Sequence, residues 1–178
     1  MSAPVMINIC GISRDSIVDG PGFRTVFFVQ GCPHHCEGCH NPESWPFEGG
    51  TPYTPEALYE MVRDNPICRG VTLSGGEPFA QAEALVPLCR MLRDAGYEIA
   101  SYTGYTFERL YEGTDAQKAL LSLVDVLIDG PFILAQRSLE LNFRGSRNQR
   151  VLNVTASLKA GRAVPETSGR WLGEYSVS

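Results

Sequence analysis

The sequence predicts an α/β domain, an incomplete (β/α) barrel or open sheet of about five or six strand–helix units. Three observations point there. Short runs rich in β-branched and aromatic residues alternate along the chain with amphipathic stripes at helical spacing. The chain has 178 residues, fewer than the ~200–250 that a complete eight-unit barrel takes. A hydrophobic content of 43% with no internal repeat suits one sizeable core.

Each element has its own warrant. Phe23 to Gln30 reads as a buried strand entered through the Gly20-Pro21-Gly22 turn. Thr54 followed by Pro55 is a helix start, a capping hydroxyl before a first-turn proline, and Ala57, Leu58, Met61 and Val62 form an apolar stripe that ends before Pro66. Val71 to Ser74 is a short strand running into Gly75-Gly76. Ala82 to Ala95 follows as a helix, with Pro87 as a kink or restart and Gly96 as its stop. Tyr97 to Thr103 is a strand, Thr106 to Tyr111 and Asp115 to Leu123 are short helices, and Val124 to Asp129 and Gln149 to Val154 are further strands. Alternation of this kind implies parallel strands joined by right-handed crossovers. The expected organisation is one domain over 1–162 and a loose tail over 163–178, where Pro165, Ser168, Gly169 and Gly173 interrupt any periodicity.

A net charge of −5 argues against broad binding to nucleic acid or anionic membranes, both of which require a basic surface. The charge is uneven: residues 1–136 carry 8 basic and 17 acidic side chains, residues 137–178 carry 7 and 3. Arg144, Arg147 and Arg150 lie close together and read either as an anion or partner site or as a solvated loop. No apolar run reaches the ~18–20 residues of a membrane span, and Met1-Ser2-Ala3-Pro4 lacks the character of a secretion signal, so a cytoplasmic protein is expected. Thiols stay reduced there, and six cysteines then point to metal or redox chemistry.

The central motif is Gly31-Cys32-Pro33-His34-His35-Cys36-Glu37-Gly38-Cys39-His40-Asn41-Pro42, directly after a strand. Cys32, Cys36 and Cys39 are close enough in sequence to converge on one metal centre. Structural zinc takes four protein ligands, with His34, His35 or His40 available as the fourth, and would make the chain a zinc-stabilised interaction module. A cubane iron–sulfur cluster normally takes four thiolates, so three would leave one iron open to a substrate. Spacing alone leaves both readings standing. The remaining cysteines, Cys10, Cys68 and Cys89, are scattered singly and read as core residues.

The Cys-x3-Cys-x2-Cys spacing resembles that of the radical S-adenosylmethionine superfamily. Leu73-Ser74-Gly75-Gly76-Glu77-Pro78 is by itself only a strand-to-helix turn in which glycines admit close backbone approach. It too resembles a superfamily element, the Gly-Gly-Glu segment that lies against the cofactor's methionine amino group. Asp19-Gly20-Pro21-Gly22-Phe23-Arg24 and His40-Asn41-Pro42 resemble the glycyl-radical activase branch, with Arg24 a possible anion or partner contact. Tyr102-Thr103-Gly104-Tyr105, Val126 to Phe132 and Phe143-Arg144-Gly145-Ser146-Arg147-Asn148-Gln149-Arg150 resemble the activases of anaerobic ribonucleoside-triphosphate reductase, as does Gly38 before the last cysteine. Glu77 departs mildly: reductase activases often carry Asp there, and pyruvate formate-lyase-type activating enzymes carry Glu.

The resemblance implies a [4Fe-4S] cluster on Cys32, Cys36 and Cys39, with S-adenosylmethionine chelating the open iron. It implies cofactor contacts from Gly38, Cys39, His40, Gly75, Gly76, Glu77 and Thr103. One-electron cleavage of the sulfonium would give a 5′-deoxyadenosyl radical that places a glycyl radical on a partner enzyme, the anaerobic reductase or else a formate-lyase. A donor such as flavodoxin would supply the electron.

Overall fold

The computed structural model describes residues 5–172; Met1 to Pro4 and the end of the expected tail, 173–178, lie outside the described residues. In chain order the elements are β1 (Ile7–Ser16), β2 (Arg24–Val29), β3 (Thr51–Tyr53), α1 (Pro55–Arg63), β4 (Gly70–Gly75), α2 (Ala82–Asp94), β5 (Glu98–Tyr102), α3 (Phe107–Tyr111), α4 (Asp115–Leu123), β6 (Val126–Asp129), β7 (Arg150–Asn153), α5 (Val154–Ala160) and α6 (Gly169–Leu172). The strands form one sheet in the order β3-β1-β2-β4-β5-β6-β7.

Four strands, β2, β4, β5 and β6, are mutually parallel. The outer strands β1, β3 and β7 are antiparallel to their neighbours, so the sheet holds fewer strand–helix units than the five or six expected. Connection length explains the difference. β6 and β7 are joined by a loop that carries only a single 3-10 turn, Leu134–Gln136, so the chain re-enters the sheet from the end at which it left. A parallel return needs a crossover the length of a helix.

Helix starts follow local chemistry. Thr54 Oγ1 accepts from the Ala57 amide, Thr106 Oγ1 from Arg109, and Thr114 with Gln117 forms a reciprocal capping box. Pro87 does not restart the chain but lies inside one continuous α2. The carbonyl it leaves without a helical partner belongs to Glu83, an exposed residue in the first turn, where water can satisfy it.

Side-chain alternation divides the sheet into two unlike faces. On one face Ile7, Ile9, Phe27, Val29, Leu73 and Ile99 pack against Leu58, Val62, Leu85, Leu88 and Leu92 of α1 and α2, and against Phe107, Leu110, Leu120 and Leu121 of α3 and α4. At ~1.5–3 kcal/mol per fully buried large apolar side chain, this layer is the main stabilising contact of the fold. The scattered Cys68 and Cys89 are buried within it; Cys10 is half-buried. Burial pushes the Cys89 thiol up to about 12, so it stays protonated.

The opposite face has a much smaller apolar cluster, Ala100, Val126, Ile128 and Trp171, and no long helix covers it. Trp171 is 1% exposed although it falls in the expected loose tail. Pro165 also bridges to Leu152, so residues 163–172 are attached to the sheet. Period-based reading missed this because one buried indole carries the attachment.

Arg24 is not the surface contact expected of it. Its side chain is fully buried on this face, donating to Glu98 Oε1 at 2.8 Å, Thr72 Oγ1 at 2.8 Å and the Val71 carbonyl at 3.2 Å. Its guanidinium carbon lies 5.4 Å from the Trp171 ring centroid. Burial pulls the Arg24 pKa down, and the hydrogen bond to Glu98 opposes that. Arg24 thus ties together β2, β4 and β5.

Candidate active site

Because β2, β4, β5 and β6 are parallel, the segments that leave them, at Gly31, Gly76, Thr103 and Gly130, gather at one end of the sheet. The last residues of these strands that face away from the helices, Phe28, Ser74 and Tyr102, open onto a cavity of about 430 Å³. Cys32, Cys36 and Cys39 line the same cavity.

The cysteine loop is fixed at both ends. Gly31 N donates to the Ser44 carbonyl at 2.6 Å and Cys32 N to that of Trp45 at 3.0 Å, which closes the loop on itself. Gln30 Nε2 donates to the carbonyls of Glu43 and Pro46, and Gln81 Nε2 to that of Gln30. Within the loop, the Cys39 amide donates to the Cys36 carbonyl and the Asn41 amide to Cys39 Sγ. Gly31 and Gly38 have φ of 105° and 77°, values that L side chains adopt at a cost. All three thiols are free of disulfides. Burial raises the Cys32 thiol above its ordinary value, and backbone hydrogen bonds from His34 and His35 oppose this.

The three nearby imidazoles are engaged elsewhere. His34 Nε2 lies 2.6 Å from Glu77 Oε1, the His35 ring stacks on Trp45 at 4.7 Å, and His40 packs against Phe132 at 5.4 Å. The zinc reading needs one of them as a fourth ligand, and none is held towards the thiols by these contacts.

Of the residues predicted for the cofactor, Cys39, His40, Gly75, Gly76 and Thr103 line the cavity. The Gly76 amide donates to the Val29 carbonyl at 2.9 Å and that of Glu77 to the Gly31 carbonyl at 2.8 Å, so this turn lies directly on the chain entering the cysteine loop. A Cβ at Gly76 would collide with the Gly31 carbonyl. Gly38 is on the far side of the loop, where a Cβ would meet Leu134 Cδ1 at 2.8 Å. Glu77 is not in the cavity wall: it is 0% exposed, with its carboxylate turned into the protein. Gln149 and Arg144 reach the cavity, and Arg144, Arg147 and Arg150 meet around a second, separate pocket beside Trp171, where Arg150 is also paired with Asp129 and Glu108.

Phe28, Ser74 and Tyr102 were not among the expected site residues, although Ser74 and Tyr102 stand inside the motifs that supplied them. Alternation along the strands was a sufficient signal, since each is a neighbour of a residue destined for the helix-covered face. Trp45 had no such signal, because an irregular segment carries it, whereas Arg144 stands in the arginine cluster already read as a candidate anion or partner site.

These residues fit a cluster with an organic cofactor beside it. Three free thiols stand at the mouth of a cavity whose wall includes bare peptide backbone at Gly75 and Gly76. Two wall residues, Trp45 and Arg144, each hold a buried N–H, Nε1 and Nε respectively, that has no hydrogen-bond partner among the described residues. Unpaired N–H donors in a cavity wall suit an occupant that brings hydrogen-bond acceptors, such as sulfide or a carboxylate.

Comparison with known proteins agrees with this geometry. Residues 18–152 match the family described as a 4Fe-4S single cluster domain. The chain is similar to the anaerobic ribonucleoside-triphosphate reductase-activating protein of Vibrio cholerae, 38% identical over 78% of this chain and 93% of the relative. The Escherichia coli K12 protein of the same name is 35% identical over 75% of this chain and 90% of its own length. The pyruvate formate-lyase-activating enzyme of Clostridium pasteurianum is 38% identical over 71% of this chain but only 56% of its own length. With three thiols placed on a shared cavity and these matches spanning most of its length, the chain belongs to the 4Fe-4S single cluster family and, within it, to the anaerobic ribonucleoside-triphosphate reductase-activating proteins.

Proposed function

We propose that the chain is a radical S-adenosylmethionine activating enzyme that installs a glycyl radical on an anaerobic ribonucleoside-triphosphate reductase. The observation that carries this is the meeting of Cys32, Cys36 and Cys39 with the Gly75-Gly76 backbone and Thr103 around one cavity at the C-terminal ends of parallel strands. When bound, a cluster held by Cys32, Cys36 and Cys39 would supply the electron for reductive cleavage of S-adenosylmethionine, the source of the hydrogen-abstracting power that a glycyl radical requires.

The chain's own part is to position and to exclude. Cys32, Cys36 and Cys39 would hold the cluster through three thiolates. The Gly76 amide is held by the Val29 carbonyl, so it is the peptide carbonyls of the Gly75-Gly76 turn that would offer acceptors to the amino group of S-adenosylmethionine, without a side chain in the way. Phe28 and Tyr102 form an apolar floor that keeps bulk water from the reacting carbon.

The finer fold reading, an incomplete barrel of radical S-adenosylmethionine type over 1–162, is supported by the placement of α1 to α4 on one face of the sheet, the other being covered only in part, by Trp171 of the short α6. A face covered only in part can admit a loop of another protein. Among the described residues no helix is long and apolar enough to cross a membrane. A cytoplasmic location and an electron donor such as flavodoxin complete the proposal.

The reductase is favoured over a formate-lyase as partner because the chain spans nearly the whole of the reductase-activating relatives and little more than half of the formate-lyase one. Anaerobic reconstitution with iron and sulfide, reduction by dithionite and addition of S-adenosylmethionine should yield 5′-deoxyadenosine. Adding each partner enzyme in turn should yield a glycyl radical signal with the reductase only. A fully loaded cluster that forms no 5′-deoxyadenosine would remove the enzymatic reading.

A further inference from the structure

We infer that His34 is a positioning residue for the cysteine loop, acting through the buried carboxylate of Glu77, and that Glu77 serves this clamp and does not touch the cofactor. The inference rests on the function proposed above, since it assigns a role within that site.

Glu77 is saturated by the protein. Its Oε1 accepts from His34 Nε2 at 2.6 Å, from Gly104 N at 2.7 Å and from Thr103 Oγ1 at 2.9 Å. Its Oε2 accepts from Phe79 N at 3.0 Å, and Thr103 Oγ1 lies 2.9 Å from this oxygen also. A carboxylate offers about four lone-pair sites, and none is left for a ligand. The Thr103 hydroxyl in turn accepts from Tyr105 N at 3.1 Å, which directs its proton towards Glu77.

The clamp joins three segments that are remote in sequence: the cysteine loop after β2, the glycine turn after β4 and the Thr103-Gly104-Tyr105 turn after β5. His34 stands two residues from Cys32 and two from Cys36, so fixing its ring constrains the backbone that carries both thiols. The ring also has a fitted seat. Tyr105 meets it edge-on at 4.5 Å, and a Cβ on Gly104 would collide with it. A hydrogen bond to a fully buried carboxylate is among the stronger ties available to a loop. Here it pre-orders the ligand set before any cluster arrives.

The test uses the metal-free full chain first. Amide exchange at Cys32 and Cys39, whose amides are hydrogen-bonded within the loop, should be about ten- to a hundred-fold faster in His34→Leu, the loss expected for a hydrogen bond to a charged group. Exchange at Leu88 in α2 should not change. His34→Gln, whose amide nitrogen can reach the place of Nε2 and donate to Glu77, should restore slow exchange. Iron retained after anaerobic reconstitution should fall in His34→Leu and recover in His34→Gln.

Unchanged loop exchange in His34→Leu overturns the inference. So does loss of protection at Leu88 as well, because the contact would then support the whole fold and not the loop. A Glu77→Gln variant with normal loop exchange and iron content but at least ten-fold weaker binding of S-adenosylmethionine would place Glu77 on the cofactor and also overturn it. If wild-type protein loads iron yet forms no 5′-deoxyadenosine, the proposed function fails while the metal-free comparison still decides the clamp.

Discussion

Leu73 and Ser74 are adjacent in β4, yet they belong to regions built on opposite terms. Leu73 enters the layer under the helices, where Leu85, Leu88 and Leu92 exclude water and shape is the only requirement. Ser74 turns to the cavity, a face that holds a buried arginine, bare peptide groups and unpaired N–H donors. The comparison teaches that one face holds the sheet together so that the other can keep a cavity in which apolar side chains and hydrogen-bonding groups stand side by side.

The contrast is broken most completely from the cavity side. Cys39→Ala should abolish retention of the cluster, read as iron and sulfide per chain after reconstitution, while changing unfolding free energy by no more than about 0.5 kcal/mol, as for a partly exposed site outside the core. Leu88→Ala should do the reverse. It leaves a void in a fully buried layer and should cost about 2–5 kcal/mol in denaturant unfolding, with cluster content per folded chain unchanged.

Gly76→Ala should affect both regions, since its Cβ has no room beside the Gly31 carbonyl. A destabilisation of about 1–3 kcal/mol is expected, together with weaker S-adenosylmethionine binding measured by calorimetry on the loaded enzyme.

The smallest effect belongs to the surface. Hydrogen bonding from Arg150 holds the Glu108 carboxyl below its ordinary value. Its stabilising contribution is therefore present above the ordinary carboxylate range and is lost as pH falls through the lowered folded value. Glu108→Gln should cost under about 1 kcal/mol at neutral pH because the pair is solvent-screened. Unfolding curves of the two proteins should converge in acid.

The part of this plan that was legible in the sequence is the part with a period or a motif. The Phe23 to Gln30 strand, the Thr54-Pro55 helix start and the capped helices at Thr106 and Thr114 lie where pattern and capping chemistry put them. The cysteine loop and the glycine turn were visible because unusual residues must stand at fixed spacing there. β1 was not, since its alternation is broken by irregular pairing between Ile9 and Gly11 and again between Ser13 and Ser16. The antiparallel return of β7 depends on the absence of a crossover helix, which no local pattern announces. Arg24 was read as a contact for an anion or partner, and only the fold shows its side chain turned inward; Glu77 was expected beside the cofactor from the Gly-Gly-Glu resemblance, and no pattern in the sequence announces that its carboxylate is fully buried.

Trp171 has a consequence for the start of β2. Its ring lies against Arg24 and is approached by Gly20, where a Cβ would come within 3.0 Å of it. The indole therefore fastens residues 169–172 to the end of β2 remote from the cysteine loop, and removing them would strip the cover from a guanidinium that the sheet keeps dry.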